Sequence, residues 1–180
     1  MFQICYRIFG NTTELARITA KDFDADPGIC GEIEISFGEH TVGYCPKGAL
    51  WDHAYGSEWL NYWFESILEV LIYFKNGGVY VAFPAIECVG VWLEFRVVNS
   101  DVIVNVTDKG PETVQSFFIT EENASFRYVE PINTKIPYEQ FKKVILDSAK
   151  HFCTEVECLN SGLRNTVYIH KIKNYIQQVL

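Results

Sequence analysis

Apolar and polar positions along this 180-residue chain follow two rhythms, and the rhythm changes several times. Phe2-Gln3-Ile4-Cys5-Tyr6-Arg7-Ile8-Phe9 steps with period two and stops at Gly10-Asn11, which predicts a strand and a turn. A second strand follows the loop-like stretch from Asp22 to Gly28. Ile33, Ile35 and Phe37 fall on one of its faces and Glu32, Glu34 and Ser36 on the other, as in a sheet that is wet on one side. His40 to Cys45 predicts a third strand, joined to the second across Gly38-Glu39. From Glu58 to about Lys75 the period becomes helical, with Ser57 as the expected N-cap and Asn76-Gly77-Gly78 as the stop. Glu65 and Glu69 form its narrow polar stripe, so this helix is expected to be covered on most sides.

Val79–Phe83, Val89–Val98 and Val102–Thr107 predict an antiparallel meander, extended by segments near Val114–Thr120 and Ser125–Val129. Pro137, at a first helical position, opens the clearest amphipathic segment, with Tyr138, Phe141, Ile145, Ala149, Phe152 and Val156 at helical spacing. Ser161-Gly162 breaks it, and a last helix from about Thr166 carries Tyr168, Ile172, Tyr175, Ile176 and Val179. The expectation is a single α+β domain over residues 1–180. It has an antiparallel sheet of about six to eight strands with a central meander, packed with one aromatic-rich central helix and two C-terminal helices.

Composition narrows this picture. Hydrophobic residues make up 48% and aromatics 15%, enough to exclude disorder and to make large rings the main packing material. The longest apolar run, Trp59 to Phe74, is interrupted by Asn61, Glu65, Ser66 and Glu69 and is short for a bilayer, so no membrane partner is expected. The chain opens on a strand pattern without a basic region and cleavable apolar stretch. A cytoplasmic location is therefore expected, with Cys5, Cys30, Cys45, Cys88, Cys153 and Cys158 as reduced thiols. CxxC pairs and close Cys/His clusters are missing, so neither a metal nor a cofactor is expected.

Charge is unevenly placed. Residues 1–140 carry 20 Asp/Glu against 9 Lys/Arg, whereas residues 141–180 carry 3 against 6, within a formal net charge of −8. An acidic body repels phosphate and argues against nucleic acid as a partner; it suits a partner with a positive surface. Asp22, Asp24 and Asp26 have the alternate spacing that opens a calcium loop, but Pro27 stands where the turn glycine is needed and Ile33 where the bidentate carboxylate belongs. Glu32 and Glu34, neighbours on one strand face, do not by themselves give the opposed carboxylates of a glycosidase. Asp147 and His151, four apart on a helix, read as an ordinary surface contact. Trp59 and Trp63, one helical turn apart, read as core, whereas Trp51 beside Asp52 lies in a loop-like stretch and suits an interface anchor. GxSxG, HExxH, P-loop, GxGxxG and kinase signatures are all missing, and no catalytic residue is assigned.

The stretch Trp59-Leu60-Asn61-Tyr62-Trp63-Phe64, the aliphatic helix after it, Phe83-Pro84 and Val91-Trp92-Leu93-Glu94-Phe95 resembles small bacterial immunity proteins of polymorphic or contact-dependent growth inhibition toxin systems. The resemblance covers residues 31–108. It implies a cytoplasmic, non-enzymatic toxin inhibitor that occludes the active site of a cognate toxin, often a nuclease and often the C-terminal domain of a secreted effector. It assigns no particular residue. The acidic loop Asp22, Asp24 and Asp26, with Glu32, Glu34, Glu39, Trp51 and Asp52, is the expected partner-binding surface. Two other readings stand beside it. One is a small-molecule-binding or enzymatic domain with a pocket between the aromatic helix and the sheet, Asp52 and His53 at its mouth; the other is a subunit of a homo-oligomer.

Overall fold

In the computed structural model, residues 1–9, 11–45, 58–85, 90–109 and 118–180 are described, with the backbone alone for 109 and 130–132. Among the described residues eight strands pair antiparallel throughout, in two four-stranded sheets where one sheet was expected. In the first sheet β1 (Phe2–Ile8) pairs along its length with β2 (Cys30–Phe37). Two short strands also pair with β2: β3 (His40–Tyr44) with residues 33–37 and β4 (Glu58–Trp59) with Cys30 and Gly31. The second sheet is the meander, β5 (Tyr80–Pro84), β6 (Trp92–Val98), β7 (Asp101–Lys109) and β8 (Arg127–Pro137), adjacent in chain order. Of the strand expected near Val114–Thr120 only the end is described, and Ile119 bridges to Ala82.

The sheets separate because the chain turns directly from β4 into α3 (Leu60–Lys75), which carries it across the apolar face of the first sheet before the next strand begins. Alternation identifies strands without saying which edge they join. Trp59 therefore stands outside the helix, 39% exposed, where a core position was expected. Its ring lies against Gly28, where an added Cβ would come within 2.2 Å of Cζ3. Trp63 is buried, and its Nε1 donates to Glu58 Oε2 at 2.9 Å. The helix ends as its glycines predict: Gly77 adopts φ +92, and the N–H groups of Gly78 and Gly77 donate to the carbonyls of Tyr73 and Phe74 at 3.0 and 3.1 Å.

Pro137 closes β8, and α4 (Tyr138–Leu159) starts one residue later. A 3₁₀ turn (Ser161–Asn165) leads into α5 (Val167–Val179). The polar stripe of α3 meets α5: Lys171 pairs with Glu65, and the Tyr175 hydroxyl donates to Glu69 at 2.9 Å. Between β1 and β2 lie α1 (Thr12–Leu15) and α2 (Ala20–Ala25). One continuous core joins the inner faces of both sheets to α3, α4 and α5, so the space between the aromatic helix and the sheet is filled by Trp63, Phe64, Phe83 and Phe95, each at most 2% exposed. Among the described residues no helix is long and apolar enough to cross a membrane.

Asn61 ties the start of α3 to the segment that leads into β2. It is fully buried in the first turn of α3; its Oδ1 accepts from the Ile29 N–H at 3.0 Å and its Nδ2 donates to the Pro27 carbonyl at 3.2 Å. Asn61→Ala leaves that buried donor without its partner and costs about 2 kcal/mol. Thermal unfolding followed by circular dichroism should show the midpoint falling by about 4–8 °C.

Candidate functional site

The inner face of the meander belongs to the core, so its chemistry lies on the outer face. Period-two alternation brings Tyr80, Glu94, Arg96, Asn105, Thr107 and Tyr128 there, through the pairs Tyr80↔Arg96, Glu94↔Asn105 and Thr107↔Tyr128. Glu94 is the centre, with no exposed surface. Asn105 Nδ2 donates to its Oε2 at 2.5 Å and the Tyr128 hydroxyl to its Oε1 at 2.9 Å. Arg96 Nη2 stands 4.0 Å from Oε1, while Nη1 pairs with Glu122 at 2.6 Å and the guanidinium lies over the Tyr80 ring, 5.4 Å from its centroid. β8 has a register irregularity between Val104 and Val106 of β7, which turns the Asn133 N–H onto Asn105 Oδ1.

These residues border an open cleft of about 340 Å³ lined by Arg96, Val98, Ile103, Asn105, Tyr128 and Asn133. Beside it Tyr80, Ala82, Trp92 and Phe126 form a small apolar cluster. The buried Thr107 hydroxyl has no hydrogen-bond partner among the described residues, and the buried Tyr80 hydroxyl lies near the Glu94 carboxylate. Burying a carboxylate costs several kcal/mol unless it is well paired, and the inner core does not need this one. A buried carboxylate, two phenols, an amide and one guanidinium form a rigid hydrogen-bonding surface whose central charge is negative. Such a surface suits a cationic, donor-rich group of a partner. Among the described residues no group of three or more His, Cys, Asp or Glu is placed to hold a metal ion.

The predicted partner-binding residues do not assemble into one patch. Asp22 and Asp24 lie in α2, a helix where a loop was expected: the Thr19 hydroxyl caps it, accepting from the Asp22 N–H at 3.2 Å and donating to Asp22 Oδ2 at 2.7 Å, and buried Phe23 anchors it. Asp24 Oδ1 accepts from the Val167 N–H at 2.8 Å, capping the start of α5 from a distance. Asp26 is exposed at the end of α2. Glu32, expected on a wet face, is buried and paired with Arg7 at 2.5 Å. Glu34 is half-buried and Glu39 is exposed in the β2–β3 turn. Asp26 and Glu39 thus flank the two ends of β2, whose eight residues span about 26 Å. Trp51, Asp52 and His53 lie outside the described residues. Asp147 pairs with Lys143 at 2.5 Å, while His151 rests near the Tyr6 ring.

Sequence reasoning passed over Glu94, Asn105 and Tyr128. The available signal was a carboxylate between Leu93 and Phe95 in a strongly apolar strand, which alternation alone assigns to a wet face. No family model matches the chain, and no curated protein or solved structure matches it.

Burial, then the neighbouring Glu94 carboxylate, pushes the Tyr128 phenol up to about 12, and the same two causes raise Tyr80 further. A group that keeps its proton longer folded than unfolded stabilises the fold below its unfolded value near 10 and loses that contribution as pH rises through the folded value. Stability should therefore fall between pH 10 and 12, and Tyr128→Phe should make the fall shallower in urea titrations across that range. An unchanged slope would separate Tyr128 from the network.

Proposed function

We propose that the chain is a toxin-neutralising binding protein of the immunity type, which covers the basic active-site surface of a cognate toxin, a nuclease in chemistry because nuclease sites gather cationic side chains. The observation that carries this reading is the outer-face cleft whose lining residues Asn105 and Tyr128 are held by buried Glu94. Buried Glu94 fixes Tyr128 and Asn105 at the cleft, where their side chains meet a partner already ordered, and tyrosine and arginine are typical anchors of tight interfaces. The net charge of −8 supports the same partner by steering it from a distance. Exposed Asp26 and Glu39, at separate ends of the first sheet, act in this reading on the rate of encounter and not as a docking patch. No catalytic role is assigned to the chain, and it works in the toxin's own compartment, the cytoplasm.

The test is co-expression with the toxin domain encoded beside its gene, followed by binding measurements on the purified pair. The chain should restore growth. Glu94→Gln and Tyr128→Ala should each weaken binding by about tenfold or more, chiefly through faster dissociation. Asp26→Lys with Glu39→Lys should slow association and flatten its salt dependence while leaving dissociation unchanged. Full neutralisation by a folded Glu94→Gln, Tyr128→Ala double variant would remove the cleft from the interface.

A further inference from the structure

On the first sheet, far in sequence from the cleft, two cysteines meet where a regular sheet would keep them apart. Cys5 lies in β1 opposite Glu34 of β2, and Cys45 directly follows β3, whose last residue, Tyr44, is opposite Ile33. The central strand β2 separates them in sheet order. Alternate strands of a flat sheet run about 10 Å apart, beyond the reach of a cystine, whose Cα atoms are at most about 6.8 Å apart. Here the sulfurs of Cys5 and Cys45, both half-buried free thiols, are 2.9 Å apart. The cause is Gly43. It adopts φ +86, and a Cβ there would come within 2.2 Å of the Ile33 carbonyl oxygen, so the chain bends at a position only glycine fits and turns Cys45 back over the sheet. The row Cys5, Glu34, Gly43 has no side chain on β3 to keep the sulfurs apart.

We propose that Cys5 and Cys45 form a thiol–disulfide exchange site that reacts with low-molecular-weight disulfides and closes to a cystine stapling β1 to the end of β3. Burial, then contact with Cys5, pushes the Cys45 thiol up to about 12, against a smaller opposing effect of Arg7; in the proposed sequence Cys5 attacks first and Cys45 resolves. The Cys5 thiol gives up its proton and its sulfur bonds to one sulfur of the incoming disulfide. The other sulfur leaves as a thiolate and takes up a proton. Cys45 then loses its proton and attacks the Cys5 sulfur of the mixed disulfide, releasing the second small thiol. The protein is oxidised by two electrons, the small disulfide is reduced to two thiols, and two protons pass from the protein to the leaving groups. The closing sulfurs travel less than about 1 Å, since a cystine bond is about 2.05 Å long. Cys158 is exposed and Cys153 buried, five residues apart on α4 and on different faces, so these two do not meet in this way.

The experiment uses the folded full chain and oxidised glutathione, followed by alkylation, intact mass, peptide mapping and thermal melting. The expected product is lighter than the reduced protein by two hydrogens at a Cys5–Cys45 link, with any glutathione adduct confined to other cysteines. Its midpoint should rise by about 5–10 °C, because the link closes a loop of some forty residues, and dithiothreitol should reverse the rise. Cys45→Ser should stop the reaction at a stable glutathione adduct on Cys5. Separate adducts on Cys5 and Cys45 in the unsubstituted chain would overturn the proposal. So would both cysteines remaining unmodified while Cys158 reacts.

Discussion

A chain of aromatic rings holds the two sheets to shared helices, and the remaining architecture depends on it. Phe2 of β1 packs on Phe141 of α4, Phe141 on Phe95 of β6, Phe95 on Phe83 of β5, and Phe83 on Trp63 of α3, with centroids 4.9, 5.4, 5.8 and 6.0 Å apart. None of the five is more than 2% exposed. A second group, Tyr6, Phe64 and Phe152, joins β1 to the same two helices, with Phe64 and Phe152 stacked at 4.6 Å. Ring pairs of this kind add about 0.5–1.5 kcal/mol each beyond the area they bury. Their larger effect is geometric: both inner faces and the inner stripes of α3 and α4 are committed to one core. Recognition therefore falls to the outer faces and the turns.

Local rhythm made most of the elements legible. The alternation of Phe2 to Phe9, the capping glycines after Asn76 and the stripe from Phe141 to Val156 are each set by near neighbours, and the structure reproduces them within a residue or two. The division into two sheets was not legible, because strand pairing is settled by the core and not by period. The fate of individual acids was hidden for a related reason. Glu32 and Glu94 look alike in sequence, each a carboxylate between apolar neighbours in a strand, yet Glu32 meets Arg7 from an adjacent strand whereas Glu94 meets an amide and a phenol. Asp24 reads as a loop acid until α5, more than a hundred residues later, places its first N–H against it. These contacts depend on tertiary structure, which one sequence does not display.

The acidic character of the chain thus has several physical roles. Asp22 and Asp24 support helix termini, Glu65 and Glu69 tie α3 to α5, and Glu32 neutralises Arg7. Glu94 differs because its partners are neutral and the charge nearest to it, Arg96, is shared with Glu122. A buried carboxylate behind the lining of an open cleft is costly to keep, and a cation bound in the cleft would offset part of that cost. In the proposed function net charge and cleft have separate tasks, the first in bringing a basic partner close and the second in holding it.

Two exposed tyrosines allow this account to be tested directly. Tyr128 borders the cleft and is 44% exposed, whereas Tyr44 lies on β3 of the first sheet, opposite Ile33, and is 55% exposed. Hydroxyl-radical footprinting of the chain, free and bound to the toxin domain proposed as its partner, reads both in one experiment. Strong protection of Tyr128 with Tyr44 unchanged is the predicted result. Protection of Tyr44 with Tyr128 still fully reactive would contradict the account and place recognition on the first sheet.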